Sequence, residues 1–378
     1  MATKLNVNPL AQVQQNSSAK QTGIACFMVL IILLLTTVTA QALPVRDAVS
    51  DRVGATAGQF RVDESGSATY SIPIYTPPGT AGVVPQLAFS YNSQGGSGPL
   101  GKGWGVSGTS GISRCRATRE HGDFFANGAA IDGDPAPINF SSSDRFCLDG
   151  QRLIPAPATA QVCKVLAGAT ITQYRTELES FQRICEYRFI LGDGPRFFTV
   201  ERKDGSTSWY GDRVSTTGSA SGTRADSVIP VTATPSVFLG WAQTRFQDST
   251  GNYIDYDYLN NPAGATYTGE QLLYQVRYTG KVVLPGQTGV AKPTYATVRF
   301  NYSTLPAADI VSGYSSGMLM FQSQKLDSVS VLNGGATVRH YVLNYTKSIS
   351  GTNANTLTSF KECSDSTQTT CYSPTNFD

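Results

Sequence analysis

Short stripes of apolar and aromatic residues alternate with polar ones through most of this chain, and each stripe ends in a turn signal. A period of two sends successive side chains to opposite faces of an extended strand, so the pattern predicts antiparallel sheet rather than helix. Phe60 and Val62 alternate, Asp63-Glu64-Ser65-Gly66-Ser67 turns, and Tyr70, Ile72 and Ile74 alternate again. Leu87, Phe89 and Tyr91 follow. Phe198 and Val200 lead through Lys203-Asp204-Gly205 to Trp209, and Asp-Gly is a strong tight-turn signal. Trp241 to Phe246 leads through Asp248-Ser249-Thr250-Gly251-Asn252 to Ile254, Tyr256 and Tyr258. Tyr274, Val276 and Tyr278 make another stripe, then Val298, Phe300 and Tyr302. Val329 and Val331 precede Asn333-Gly334-Gly335, after which Tyr341, Leu343 and Tyr345 alternate.

The expected class is therefore mainly β: antiparallel sheets and hairpins with long loops, arranged as a β-sandwich or a partial shell-like sheet. Charged residues make up only 15% of the chain, against roughly 25% in ordinary soluble domains. Plentiful Gly (37) and Tyr (18) suit strands and tight turns better than long surface helices. Pro73 demotes the strand of Tyr70 and Ile72 to a sheet edge. A Gly-rich loop is expected from Asn92 to Gly111, and one helix-like stretch from Gln173 to Arg183. Pro262 to Gly269 and Pro285 to Pro293 read as surface loops, and a joint is expected near 212–228.

Ile24 to Val38 is apolar, Lys20 precedes it, and Ala40-Gln41-Ala42 follows. A basic flank, a short apolar core and an A-x-A site predict a signal peptide over residues 1–42, cut after Ala42. The apolar run is shorter than the roughly 20 residues of a spanning helix. Residues 43–56 are then a lead-in, and 57–378 the β domain. Of seven cysteines, Cys26 leaves with the signal. An even set remains, and in an exported chain it predicts disulfides. Short closed loops favour Cys115–Cys147, Cys163–Cys185 and Cys363–Cys371, with other pairings open.

The net charge is +2, and both excess charges, Lys4 and Lys20, precede Ala42. A neutral mature chain has no electrostatic footprint for nucleic acid and no polybasic run for a membrane surface. The expected location is the exterior or the cell surface.

Ser71 onward reads SIPIYTPPGTAGVVPQLAFSYNSQGGSGPLGKGWGVSG, with RCRATREHGDFF and DRFCLDGQRLI later. YRTELESFQRI, GPRFFTVERKDGSTSWYG and DSTGNYIDYDY follow. This pattern resembles the N-terminal domain of the Salmonella virulence plasmid B protein family, shared with the B components of insecticidal toxin complexes. The resemblance spans roughly residues 56 to 378. It implies a secreted, toxin-associated protein whose first module is followed by propeller-like and Rhs/YD repeats. Those repeats form a cocoon around a C-terminal payload, an ADP-ribosyltransferase in the virulence plasmid B protein. The expectation is thus a first module alone, truncated or free-standing. Its partners would be downstream propeller and Rhs-repeat segments or partner toxin chains.

Gly96, Gly98 and Gly101 match G-x-G-x-x-G, but Gly103-Trp104-Gly105-Val106-Ser107-Gly108 cannot start the helix whose N-terminus would hold a phosphate. A structural loop anchored by Trp104 is expected instead. Ser206-Thr207-Ser208 and Glu177-x-Glu179 carry the letters of an ADP-ribosyltransferase in the wrong order. The two histidines are His121, a loop residue, and His340, in a strand stripe; no G-x-S-x-G elbow accompanies them. Asp248, Asn252, Asp255 and Asp257 invite a calcium reading, as do Asp132 and Asp134, but the spacing is not that of an EF-hand. Asp255 and Asp257 alternate with Ile254, Tyr256 and Tyr258, which predicts a solvent-facing polar side. The sum is a structural or carrier module with no catalytic residue, metal or cofactor. An adhesin-like module binding glycan or protein through Trp209, Tyr210, Tyr253 and Tyr314 is the alternative, and a transferase the weaker third.

Overall fold

The computed structural model describes residues 54–119, 136–141, 144–157, 159, 162–189, 194–211, 225–231, 237–264, 266, 268–347 and 355–377. The expected signal segment, His121, Asp132, Asp134 and residues 212–224 of the expected joint lie outside them.

A small antiparallel sheet comes first. It joins β1 (Gln59–Val62), β2 (Ala68–Pro73) and β3 (Ala88–Asn92); the β4 (Ser97–Gly98) and β5 (Gly101–Lys102) hairpin intervenes before β6 (Trp104–Ser107) closes the order β1-β2-β3-β6. β2 lies between β1 and β3 and is not an edge. Pro73 is tolerated because β1 ends opposite Ser71, so no neighbour needs the missing N–H. Part of the expected Gly-rich loop is also strand, because β6 pairs with β3 from Tyr91↔Trp104 to Ala88↔Ser107.

An eight-stranded closed barrel follows. Its strands are β7 (Gly111–Cys115), β8 (Arg145–Leu148), β9 (Gln151–Pro155), β10 (Thr170–Thr176), β11 (Arg183–Arg188), β12 (Phe197–Glu201) and β13 (Thr207–Tyr210), with β14 (Val228–Pro230) outside the ring and β15 (Phe238–Gln247) as the closing strand. β15 pairs with β7 through Gly240↔Ser113 and with β13 through Ser208↔Phe246. The stretch expected as helix-like is the β10–β11 hairpin, with Thr172↔Glu186 and Tyr174↔Ile184 in register. Its period is two: Tyr174 and Ile184 turn into the barrel, while Ile171 packs outside on Tyr187 and Phe197. Barrels of about eight strands have an interior just wide enough for side chains. Trp241, Phe146, Phe198, Tyr210 and Tyr174 fill this one, and Phe198 meets Trp241 edge-on at 5.0 Å.

From β15 the same sheet runs on through β16 (Asn252–Asn260), β17 (Gln271–Lys281), β18 (Ala296–Thr304), β21 (Gln324–Asn333), β22 (Ala336–Lys347), β23 (Asn355–Cys363) and β24 (Thr375–Asn376), while β19 (Val311–Ser315) and β20 (Met318–Gln322) form a separate hairpin. One face of this long sheet receives the small sheet. Ile72, Phe89 and Trp104 from one side meet Tyr278, Phe300, Tyr341 and Phe360 from the other. Phe89 lies 5.0 Å from the Phe360 ring.

The abundance of tyrosine has a physical reason here. A buried ring fills space, but its hydroxyl needs a partner. Tyr258 donates to the Gln243 carbonyl (2.8 Å), Tyr278 to Pro77 (2.8 Å), Tyr302 to Leu273 (2.8 Å) and Tyr345 to Leu326 (2.7 Å). The Tyr341 hydroxyl accepts the Tyr75 N–H at 2.9 Å. Each bond ties one strand or loop to the next.

On the other face of the long sheet, Asp255 and Asp257 are not a solvent-facing acidic pair. Asp255 is 2% exposed and accepts two hydrogen bonds from Arg245, at 2.6 and 2.8 Å. Asp257 accepts from Arg277 at 2.7 and 3.1 Å. Cross-strand arginines cover both carboxylates, a pairing between strands that period-two alternation does not contain.

Three hairpin turns share one device. Asp63 accepts from the Ser65 hydroxyl and the Ser65 and Ser67 N–H groups, and Asp204 from the Ser206 N–H. Asp248 accepts from both Thr250 and Asn252. For Asp63 the Ser65 hydroxyl, and for Asp204 the Ser206 N–H, hold the carboxyl below its usual 3.8. For Asp248 partial burial opposes the shift, and the Asn252 and Thr250 donors outweigh it. A folded pKa below the unfolded one means that the unfolded chain takes up protons first on acidification. Stability is therefore expected to be complete above pH 3.8 and to fall as pH drops through the lowered values. Thermal melts across the acid range check this: combining Asp63→Asn, Asp204→Asn and Asp248→Asn should flatten the slope, and an unchanged slope would remove these turns from the account.

Candidate functional site

The Gly–Trp block is where the two sheets are clipped together. Trp104 points inward from β6 between Tyr91 (5.4 Å between ring centroids), Tyr70 (6.3 Å) and Phe377 (4.8 Å). The β4–β5 hairpin reaches two neighbours: the Pro99 carbonyl accepts the Leu326 N–H of the long sheet at 2.8 Å, and the Gly98 carbonyl accepts from Gln322 of β20 at 2.7 Å. The glycines divide into two kinds. Gly101 has φ +90° and no room, since an added Cβ would lie 2.6 Å from the Asn355 carbonyl oxygen. Gly103 has φ +78°, and a Cβ there would lie 2.6 Å from the Tyr91 ring. Gly96 has open space around it, and Gly98 meets only the Trp104 carbonyl at 3.7 Å. The residues that a nucleotide motif would need as a helix are strand β6. This arrangement can join sheets, and it presents no helix N-terminus to a phosphate.

Gly103→Ala is expected to destabilise the protein by about 1–3 kcal/mol, from left-handed backbone strain plus the displaced Tyr91 ring. Gly96→Ala should be near neutral. Paired denaturant titrations check this, and equal effects at the two positions would contradict it.

The other chemical candidates are held in structural bonds. His340 lies buried on β22 with Nδ1 3.1 Å from the Ser330 hydroxyl, and burial lowers its pKa from the usual 6.5. Ser208 accepts from Arg202 (3.0 Å) and Gln243 (3.1 Å). Glu179 accepts the Phe181 N–H at 2.7 Å in the β10–β11 turn. The Asp248 oxygens receive N–H and O–H donors from their own turn.

Among the aromatic residues expected to face outward, Tyr210 is a correction. It is fully buried in the barrel, and its hydroxyl lies 2.9 Å from that of Ser110. It follows Trp209, and strand alternation sends one of two neighbours inward. Tyr253 is half-buried, with the Arg245 guanidinium 4.0 Å from its ring centroid. Tyr314, at the end of the β19–β20 hairpin, is 79% exposed. Trp209 is half-buried on the outer barrel wall.

Sequence reasoning missed a charged network at the barrel's core. Arg114 and Asp144, both buried, pair at 3.0 Å; Asp144 also accepts the Asn139 (3.0 Å) and Phe140 (2.8 Å) N–H groups. The Arg114 guanidinium lies 5.6 Å from the Phe146 ring and 5.9 Å from Trp241. Burial lowers its pKa, and Asp144 opposes that. Glu186, fully buried, accepts from the Tyr174 hydroxyl at 2.6 Å and pairs with Arg188. Burial first, and Glu186 second, push the Tyr174 hydroxyl pKa up. The available signal was Glu186 sharing the period-two stripe of Ile184, a charged residue at an inward position.

Disulfides join Cys115 to Cys147, Cys163 to Cys185, and Cys363 to Cys371. The first links neighbouring strands β7 and β8. The second pins the loop around Leu166 against Tyr187 and Phe197 outside the barrel. The third closes an eight-residue separation at the edge of the long sheet.

A sequence model of the family described as Salmonella virulence plasmid 65kDa B protein matches residues 62–279. No curated protein sequence matches the chain. Among solved structures, the N-terminal domain of effector protein SpvB from Salmonella typhimurium strain LT2 is similar, with TM-score 0.57 and 19% identity over 78% of this chain and 99% of that one. A TcdB2-TccC3 structure is similar with TM-score 0.61 and 19% identity, over 82% of this chain but 16% of that one. The Photorhabdus luminescens Tc holotoxin pore is similar with TM-score 0.59 and 20% identity, over 82% of this chain and 15% of that one. The chain thus spans about a sixth of the length of those toxin-complex chains.

Proposed function

Because the chain belongs to the Salmonella virulence plasmid 65kDa B protein family, we propose that it is a non-catalytic structural module of an exported, toxin-type carrier. Its role is to form a rigid β-scaffold against which Rhs/YD-repeat segments or partner toxin chains assemble. The observation that carries this reading is the barrel interior. Its space is taken by Trp241, Phe146, Phe198 and Tyr210, so the barrel acts as a solid block rather than a container. The hydrogen bonds of His340, Asp248 and Ser208 also serve strands and turns.

The test uses residues 43–378, exported with their disulfides, and an Rhs-repeat segment supplied in trans. Co-elution of the two in size-exclusion chromatography is the expected result. A soluble monomer that ignores the repeat segment would overturn the carrier reading. Mass-spectrometric assay should find no NAD turnover, and turnover would restore the transferase reading.

A further inference from the structure

A pocket on the outer wall of the barrel has no part in the carrier role. Three neighbouring strands lay down its floor in register. Thr199 on β12 faces Trp209 on β13, which faces Arg245 on β15; the next row is Glu201, Thr207 and Gln247. These positions alternate with Phe198, Val200 and Tyr210, which fill the barrel, so they sit on its outside. Two loops from distant parts of the chain wall the pocket. One carries Lys164 and Leu166 and is pinned by Cys163–Cys185; the other is Val283-Leu284-Pro285. The Tyr187 hydroxyl donates to the Lys164 carbonyl at 3.2 Å and helps to hold the first loop. The enclosed volume is about 250 Å³.

The outer face of this barrel is therefore covered here without being filled. Thr199 is only 6% exposed, yet its Oγ1 has no protein partner with full hydrogen-bond geometry, because the Tyr187 hydroxyl beside it donates to the Lys164 carbonyl. A ligand hydroxyl would complete the hydrogen bonding of this buried group. The charged groups of the pocket floor are already matched. Glu201 pairs with Arg183 at 2.7 Å, and Arg245 with Asp255 at 2.6 Å. What remains on offer on the floor is neutral: the Thr199 and Thr207 hydroxyls, the Gln247 amide, and the Trp209 and Tyr187 rings, while the exposed Lys164 adds one cation at the loop wall. The volume falls below the roughly 300–1,000 Å³ of drug-sized sites, so one ring is the natural occupant.

We propose that this pocket binds a single neutral pyranose, such as the terminal sugar of a glycan. One C–H face of the ring lies on Trp209, and its hydroxyls engage Thr199, Thr207 and Gln247. The inference is independent of the carrier reading, since sugar binding and repeat binding are separate readouts.

The probes are the methyl glycosides of glucose, galactose, mannose and N-acetylglucosamine, titrated into the disulfide-intact protein by isothermal calorimetry, with adenosine as a flat aromatic control. At least one glycoside should bind saturably. Trp209→Ala should weaken it at least tenfold. Val283→Trp fills the pocket mouth from a half-exposed loop position, leaves the barrel wall untouched, and should also weaken binding at least tenfold. Thermal melts matching the parent protein establish that the variants fold. The proposal is overturned if no glycoside binds, if binding survives either substitution, or if adenosine binds better than every glycoside.

Discussion

Replacing Trp241 by alanine is expected to cost about 3–5 kcal/mol of stability. The indole is buried among the rings of Phe198 (5.0 Å), Phe146 (5.6 Å) and Phe238 (6.2 Å). Its Nε1 donates to the Pro195 carbonyl at 3.1 Å. Truncation removes the transfer free energy of the largest side chain in the barrel and leaves a cavity. Closed walls cannot collapse into that cavity, because eight strands are hydrogen-bonded into a ring. The Pro195 carbonyl also loses its donor. Trp241→Phe should recover much of the loss, since it restores the ring but not the N–H. Chemical denaturation of both variants checks this. A Trp241→Ala cost below about 1 kcal/mol would mean that the barrel is not the packed unit described here.

Breaking the Arg114–Asp144 pair is expected to have an effect of the same size, about 3–5 kcal/mol for either single change. Asp144→Asn removes the anion that Arg114 faces at 3.0 Å in a buried site, and leaves the guanidinium uncompensated among Phe140, Phe146 and Trp241. Arg114→Met leaves the Asp144 carboxylate with its Asn139 and Phe140 N–H donors but no counter-charge. Combining Arg114→Met with Asp144→Leu removes both charges. That double variant should be more stable than either single variant, because neither ion is then buried alone. Additive losses in the double-mutant cycle would contradict the argument.

Trp241 opens the stretch to Phe246 that the sequence marked as strand, although its neighbours Leu239 and Gln243 do not show which face it takes. The Arg114–Asp144 pair was not legible, because the two residues are 30 apart in sequence and meet only when β7 and β8 lie side by side. Asp255 makes the same point. Its place opposite the Ile254 and Tyr256 face was legible, yet its burial depends on Arg245 from the neighbouring strand. Tyr210 was misread by one position, since Trp209 beside it takes the outer face. The β10–β11 segment looked helical because its turn residues interrupt the alternation, although Thr172, Tyr174 and Thr176 favour strand.

Alternation is a local property, so the sequence by itself determined most of the strands, most of their turns, and the inward placement of Trp104, Phe89 and Tyr341. It also held the cysteines and glycines at the positions that the fold uses. Strand partners are non-local, and periodicity is silent about them. Only the tertiary structure decided that β15 serves two bodies, closing the barrel against β7 and β13 while opening the long sheet through β16. The same choice of partners decided which charges are buried in pairs, and that two distant loops enclose a pocket on the barrel's outer wall. The physical reason is that a strand fixes its own faces through backbone geometry, whereas a partner is selected by the burial and hydrogen bonding of the whole sheet.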